Sequence, residues 1–138
     1  MTRTHSLRGL AALLALALPL TAAPASSETD AAKTPIVAKI HADWCGTCTR
    51  LEPTWEELQA RYGEEVRFVV LDVTDRDAVE QSGAEAERLG ITPFFETNKG
   101  LTGVVGVIDL DSGETRVFRG ELDAKRYDEP IAAAIGAS

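Results

Sequence analysis

The chain's only two cysteines stand two residues apart, in Trp44-Cys45-Gly46-Thr47-Cys48. The apolar run Ile36-Val37-Ala38-Lys39-Ile40-His41-Ala42 leads into this stretch, and an amphipathic segment leaves it. Such a run reads as a strand buried on both faces. A Cys-x-x-Cys at a strand-to-helix junction suits thiol–disulfide exchange. The helix start presents free backbone N–H groups and the positive end of the helix dipole to the first sulfur. The thiolate is the attacking species, so Cys45 is the expected nucleophile. Cys48, one turn later, is placed to attack the mixed disulfide and close the Cys45–Cys48 ring. The alternative is an inert crosslink, but one that spans two residues closes too small a loop to stabilise much.

After Cys48, Leu51, Trp55, Leu58 and Tyr62 fall on one helix face. Arg50, Glu52, Glu56, Glu57 and Arg61 occupy the facing side, and Gly63 fits a C-cap. Pro53 removes one backbone donor and should kink the helix, which runs from about Cys45 to Tyr62. Through the Trp44–Cys48 motif, the strand before it and Pro53 five residues after the second cysteine, the chain resembles the thioredoxin family. The resemblance covers roughly Pro35 to Ala134.

The remaining elements fit that frame. Val66–Val73 is rich in β-branched residues and reads as a second strand, joined to the first by a right-handed parallel crossover. Asp75 or Thr74 caps a weaker helix to about Leu89, with Gly83 counting against its continuity. Gly103–Leu110, the turn Asp111-Ser112-Gly113-Glu114, and Thr115–Arg119 read as a β-hairpin. Asp123 caps a last helix through Ile135, with Pro130 as an internal kink or restart. The expected fold class is α/β: a thioredoxin-like three-layer α/β/α architecture, minimal β-α-β-α-β-β-α, with a mixed four-stranded sheet. It lacks the extra leading strand and helix of thioredoxin itself.

The resemblance also sets expectations for the site. Thioredoxins carry Gly-Pro between the cysteines; here Gly46-Thr47 removes a rigid residue and adds a hydroxyl near both sulfurs. The dipeptide has no imidazole, which favours a reductant or isomerase-type exchanger over a strong oxidant. Trp44 is expected to shield the sulfurs and pack against substrate, or else to anchor the loop alone. The family's buried aspartate, six residues before the first cysteine, is replaced by Lys39. A cation there would make Cys48 more acidic; the preferred alternative is that Lys39 snorkels to solvent or pairs with an acid such as Asp72. Thr102 is placed in the register of the family's cis-proline, with the loop then trans. Thr92-Pro93, the rival for that register, also reads as an N-cap and N1 proline opening a short helix.

The two ends and the charge bound the setting. Residues 1–25 read as a secretory signal peptide: Arg3 and Arg8, the apolar Leu10–Leu20, then Ala23-Pro24-Ala25 as the cleavage pattern. An uncleaved anchor is the alternative. Residues 26–34 form a small polar linker, and 35–138 the thioredoxin-like domain. The chain carries a net charge of −8, and the leader takes away basic residues but no acid. Such a surface suits neither nucleic acid nor anionic lipid. No cofactor or metal is expected, since two cysteines cannot form a four-thiolate zinc site.

The expected function is that of a periplasmic or secreted thiol–disulfide oxidoreductase. Its partners would be protein thiol/disulfide substrates and a membrane thiol electron donor, with no stable membrane anchor after leader cleavage. Two alternatives stay open. One is a copper-handling chaperone using Cys45, Cys48 and His41, against which a strand histidine packed under the site is the preferred reading of His41. The other is a redox-gated interaction module without turnover.

Overall fold

The computed structural model describes residues 34–136; the leader and most of the linker lie outside them. Four strands form a mixed sheet in the order β2-β1-β3-β4. They are β1 (Ile36–His41), β2 (Arg67–Asp72), β3 (Val104–Ile108) and β4 (Thr115–Arg119). β1 pairs parallel with β2, from Ile36↔Arg67 to His41↔Asp72, and antiparallel with β3, from Ile36↔Ile108 to Ile40↔Val104. β3 and β4 form the expected antiparallel hairpin.

The apolar run is continuous because β1 is covered twice. On one face, Val37, Val105 and Val107 meet Leu51, Trp55 and Leu58 of helix α1 (Gly46–Tyr62), with Tyr127, Ile131 and Ala134. On the other, Ile36, Ala38, Ile40, Val69 and Leu71 meet Ala86 of α2 (Arg76–Arg88) and Phe94 and Phe95 of α3 (Thr92–Asn98). This is the three-layer arrangement. Asp75 is the N-cap of α2, its side chain accepting from the Ala78 N–H at 2.9 Å, and the helix passes through Gly83 unbroken.

Two local features differ from expectation. The short helix α3 adds an element to the expected order; Pro93 lies in its first turn, and its N-cap is Ile91 rather than Thr92. The C-terminal segment divides at Tyr127, not at Pro130. Asp123 caps a 3₁₀ turn over Ala124–Tyr127, and α4 (Asp128–Gly136) follows, with Pro130 in its first turn, where a missing N–H costs nothing. Gly63 caps α1 as expected, with φ −62°, and its N–H donates to the Gln59 carbonyl. The side chains of Arg61 and Tyr62 both bond Asp128, which ties the end of α1 to the start of α4.

Asp109 fixes the hairpin turn. Its buried carboxylate accepts from the Ser112 hydroxyl at 2.5 Å and from the Asp111 and Ser112 N–H groups at 2.9 and 3.3 Å. The Ser112 hydroxyl first, and the two amides after it, hold this carboxyl below the usual aspartate range. A folded-state value below the unfolded one contributes stability that is whole above the unfolded value and is lost as pH falls through the folded one. Asp109→Asn is therefore expected to flatten the acid limb of stability below about pH 4 and to cost about 1 kcal/mol at neutral pH. Urea denaturation across a pH series checks this; parallel acid limbs for the two proteins would contradict it.

Candidate active site

The chain leaves β1 at His41, turns through a bond from the Cys45 N–H to the Ala42 carbonyl at 3.0 Å, and enters α1. Cys45 is the N-cap of that helix, with extended backbone (φ −89°, ψ 104°). Its sulfur takes the place of the usual capping oxygen and accepts the Cys48 N–H at 3.0 Å. A disulfide joins Cys45 and Cys48, their Cα atoms 5.3 Å apart. Cys45 is 6% exposed and Cys48 0%. An attacking group from solvent thus meets Cys45 first. The Cys48 sulfur lies inside, 3.9 Å from the Ile40 carbonyl.

Trp44 is 67% exposed and its ring N–H donates to the Thr74 carbonyl at 3.1 Å. The Asp43 N–H donates to the Thr74 hydroxyl at 3.0 Å, and that hydroxyl donates in turn to Asp72 Oδ1 at 2.6 Å. The loop before the cysteines is thereby tied to the end of β2. The Thr74 hydroxyl is also the main cause holding the Asp72 carboxyl below its usual range. In the sequence Thr74 reads only as a possible helix cap. The Asp-x-Thr spacing after a strand, which favours a side-chain turn, was the available signal.

Gly46 is exposed and Thr47 half-buried, its hydroxyl accepting from Arg50 at 3.2 Å. The segment entering β3 lies against Thr47. Gly103 has φ 68°, and a Cβ there would stand 2.8 Å from Thr47 Cγ2, so both conformation and space call for glycine. The Gly103 N–H donates to the Ile40 carbonyl at 3.0 Å. Thr102, immediately before it, is half-buried beside the motif, whereas Pro93 lies in α3. All peptide bonds of the described residues are trans. Leu101 and Leu122, each 43% exposed, add to Trp44 as apolar surface.

Lys39 pairs with an acid, as the preferred alternative expects, but the acid is Glu52. It neither snorkels nor pairs with Asp72. It is 2% exposed, its ammonium is 2.7 Å from Glu52 Oε1, and it lies 4.7 Å from the centre of the Trp55 ring. Alternation along β1 turns Lys39 toward α1, while Asp72 stands at the strand's end opposite His41 and is taken by Thr74. Glu52, assigned to the polar helix face, is the partner. His41 Nε2 is 3.4 Å from Asp43 Oδ1 and its Nδ1 is buried without a hydrogen bond. With Cys45 and Cys48 joined in a disulfide, no three His, Cys, Asp or Glu side chains among the described residues come together as a metal-binding group.

A disulfide at the start of the helix that leaves an inner strand, on a mixed sheet of this order, defines a thioredoxin-fold protein. The chain belongs to the thioredoxin family: residues 18–106, well over half of it, match the family model described as Thioredoxin. Thioredoxin H-type of Chlamydomonas reinhardtii is 42% identical over 67 residues, 47% of this chain and 54% of that protein. The chain thus spans about half the length of that relative. Among solved structures, Fasciola hepatica thioredoxin superposes with a TM-score of 0.51 at 24% identity, covering 77% of this chain and 86% of that one. A thiol:disulfide interchange protein of the thioredoxin family from Chlorobium tepidum gives 0.53 at 20%, covering 78% and 84%. At these identities the likeness is one of fold.

Proposed function

We propose that this protein is an exported thiol–disulfide oxidoreductase that uses Cys45 and Cys48 to reduce disulfides in protein substrates. The observation that carries the reading is the 3.0 Å bond from the Cys48 N–H to the Cys45 sulfur at the helix start. That donor and the helix dipole favour negative charge on this sulfur. In the reduced protein the Cys45 thiolate attacks a substrate disulfide and the first substrate thiolate leaves. Cys48 then attacks Cys45, closes the internal disulfide and frees the second substrate thiol. Family membership supports protein substrates, and the apolar surface of Trp44, Leu101 and Leu122 supports docking of an unfolded or extended chain beside the sulfurs.

The reducing direction is supported by Gly46-Thr47, which brings no imidazole to stabilise the reduced state as a strong oxidant requires. A reductant outside the cytoplasm needs its disulfide reopened, and a membrane thiol donor would supply those electrons. Export rests on the leader pattern of residues 1–25. The family match begins at residue 18, so the boundary at Ala25 depends on the Ala-x-Ala pattern alone. No helix among the described residues is long and apolar enough to cross a membrane. The test of the activity is insulin reduction by the wild type and by Cys45→Ser; equal rates would refute the assignment.

A further inference from the structure

We propose that Lys39 is a positioning residue for the second half of the exchange, its buried ammonium stabilising the Cys48 thiolate. The inference rests on the dithiol reading above and adds the group that serves the inner sulfur. That sulfur needs one. Cys48 is fully buried, and forming an anion away from water is costly unless a charge or donor offsets it.

Two routes bring Lys39 to Cys48. Along β1, Lys39 directly precedes Ile40, whose carbonyl lies 3.9 Å from the Cys48 sulfur. Along α1, Glu52 follows Cys48 by one turn on the same helix face, and Glu52 holds the Lys39 ammonium at 2.7 Å. The ammonium therefore lies on the α1 side of β1, one residue along the strand and one helical turn along α1 from the groups that hold Cys48. Its counter-ion is uneven: Lys39 is 2% exposed, but the Glu52 side chain is 42% exposed and shares its charge with water. The Trp55 face at 4.7 Å holds the ammonium in place without neutralising it. Other charged groups around the motif are engaged elsewhere. Asp72 accepts from Thr74, His41 faces Asp43, and Arg50 is exposed and bonds Thr47.

The step balances as follows. After Cys45 has formed the mixed disulfide, Cys48 gives its proton to solvent. The Cys48 thiolate attacks the Cys45 sulfur, the Cys45–substrate bond breaks, and the substrate leaves as a thiolate that is then protonated. Two electrons pass from the protein dithiol to the substrate disulfide.

The test is single-turnover reaction of the reduced full chain with a peptide disulfide. Acid quenching and mass spectrometry follow the formation and decay of the mixed disulfide separately. Lys39→Met is expected to leave formation unchanged and to slow decay about three- to fourfold, the net effect of one unit of thiol acidity once the more basic thiolate's higher nucleophilicity is counted. A purely structural role would move both phases together. Glu52→Gln keeps the cation and an acceptor for it, and is expected to match or exceed the wild-type decay rate. Decay in Lys39→Met as fast as wild type overturns the proposal, as does an equal slowing in Glu52→Gln, which would make the carboxylate the working group. Absence of any mixed disulfide in the wild type and in Cys48→Ser would defeat the oxidoreductase reading itself, and this inference with it.

Discussion

Cys45→Ser is expected to abolish insulin reduction while leaving the fold intact. Serine is among the best N-cap residues, so its hydroxyl can accept the Cys48 N–H that the sulfur now accepts at 3.0 Å. The helix start is preserved and the thermal midpoint of the variant should match that of the reduced wild type. The chemistry is not preserved, because a hydroxyl does not ionise near neutral pH and forms no mixed disulfide. Turnover is expected to fall about 10³-fold or more, the scale seen when a covalent nucleophile is removed. Cys48→Ser separates the two sulfurs: it still forms the mixed disulfide through Cys45 but cannot resolve it, so a covalent adduct accumulates. An adduct on Cys48 in Cys45→Ser would reverse the roles of the two residues.

Gly106→Val is the most damaging substitution expected in the sheet. Gly106 pairs with Ala38 of β1 and Val117 of β4, where a β-branched residue would ordinarily be welcome. Space forbids it. A Cβ at this position would stand 2.8 Å from Phe94 Cδ2, and Phe94 is itself only 5% exposed. The ring cannot swing away without lifting α3 from the sheet. The expected loss is about 3 kcal/mol, at the upper end of core overpacking, read as a lower urea midpoint. Phe94→Leu in the same chain should recover part of it, since the two sites are in contact and their effects do not add. A variant as stable as wild type would show that α3 is not held against the sheet by this ring.

The elements legible in the sequence were those whose signals are local and repeat. The apolar run of β1, the periodic face of α1 and the Cys-x-x-Cys between them each declare themselves within a few residues. The seven residues of α3 are too few for periodicity, and in the sequence only the Thr92-Pro93 start pattern points to a helix there. Glu52 was read with its charged helix neighbours because nothing in the helix alone shows that a lysine thirteen residues earlier lies beneath it. Only the crossing of β1 by α1 brings the two together. The tie from Trp44 and Asp43 to Thr74 spans about thirty residues and depends in the same way on parallel pairing of β1 and β2. Asp123 was visible as a cap, but the break at Tyr127 was not. It follows from the burial of that ring, whose hydroxyl donates to the Glu121 carbonyl at 2.9 Å.

Among the described residues β4 pairs with β3 alone, which leaves its outer rim of amides and carbonyls open to water. A bare rim is a template on which another copy could zip. This one is only five residues long, and exposed Val117 is flanked by Arg116 and, two residues on, by Arg119. Two molecules approaching rim to rim would bring guanidinium groups against guanidinium groups. Charge beside an exposed apolar residue on so short a rim is how sheet edges disfavour pairing with another copy.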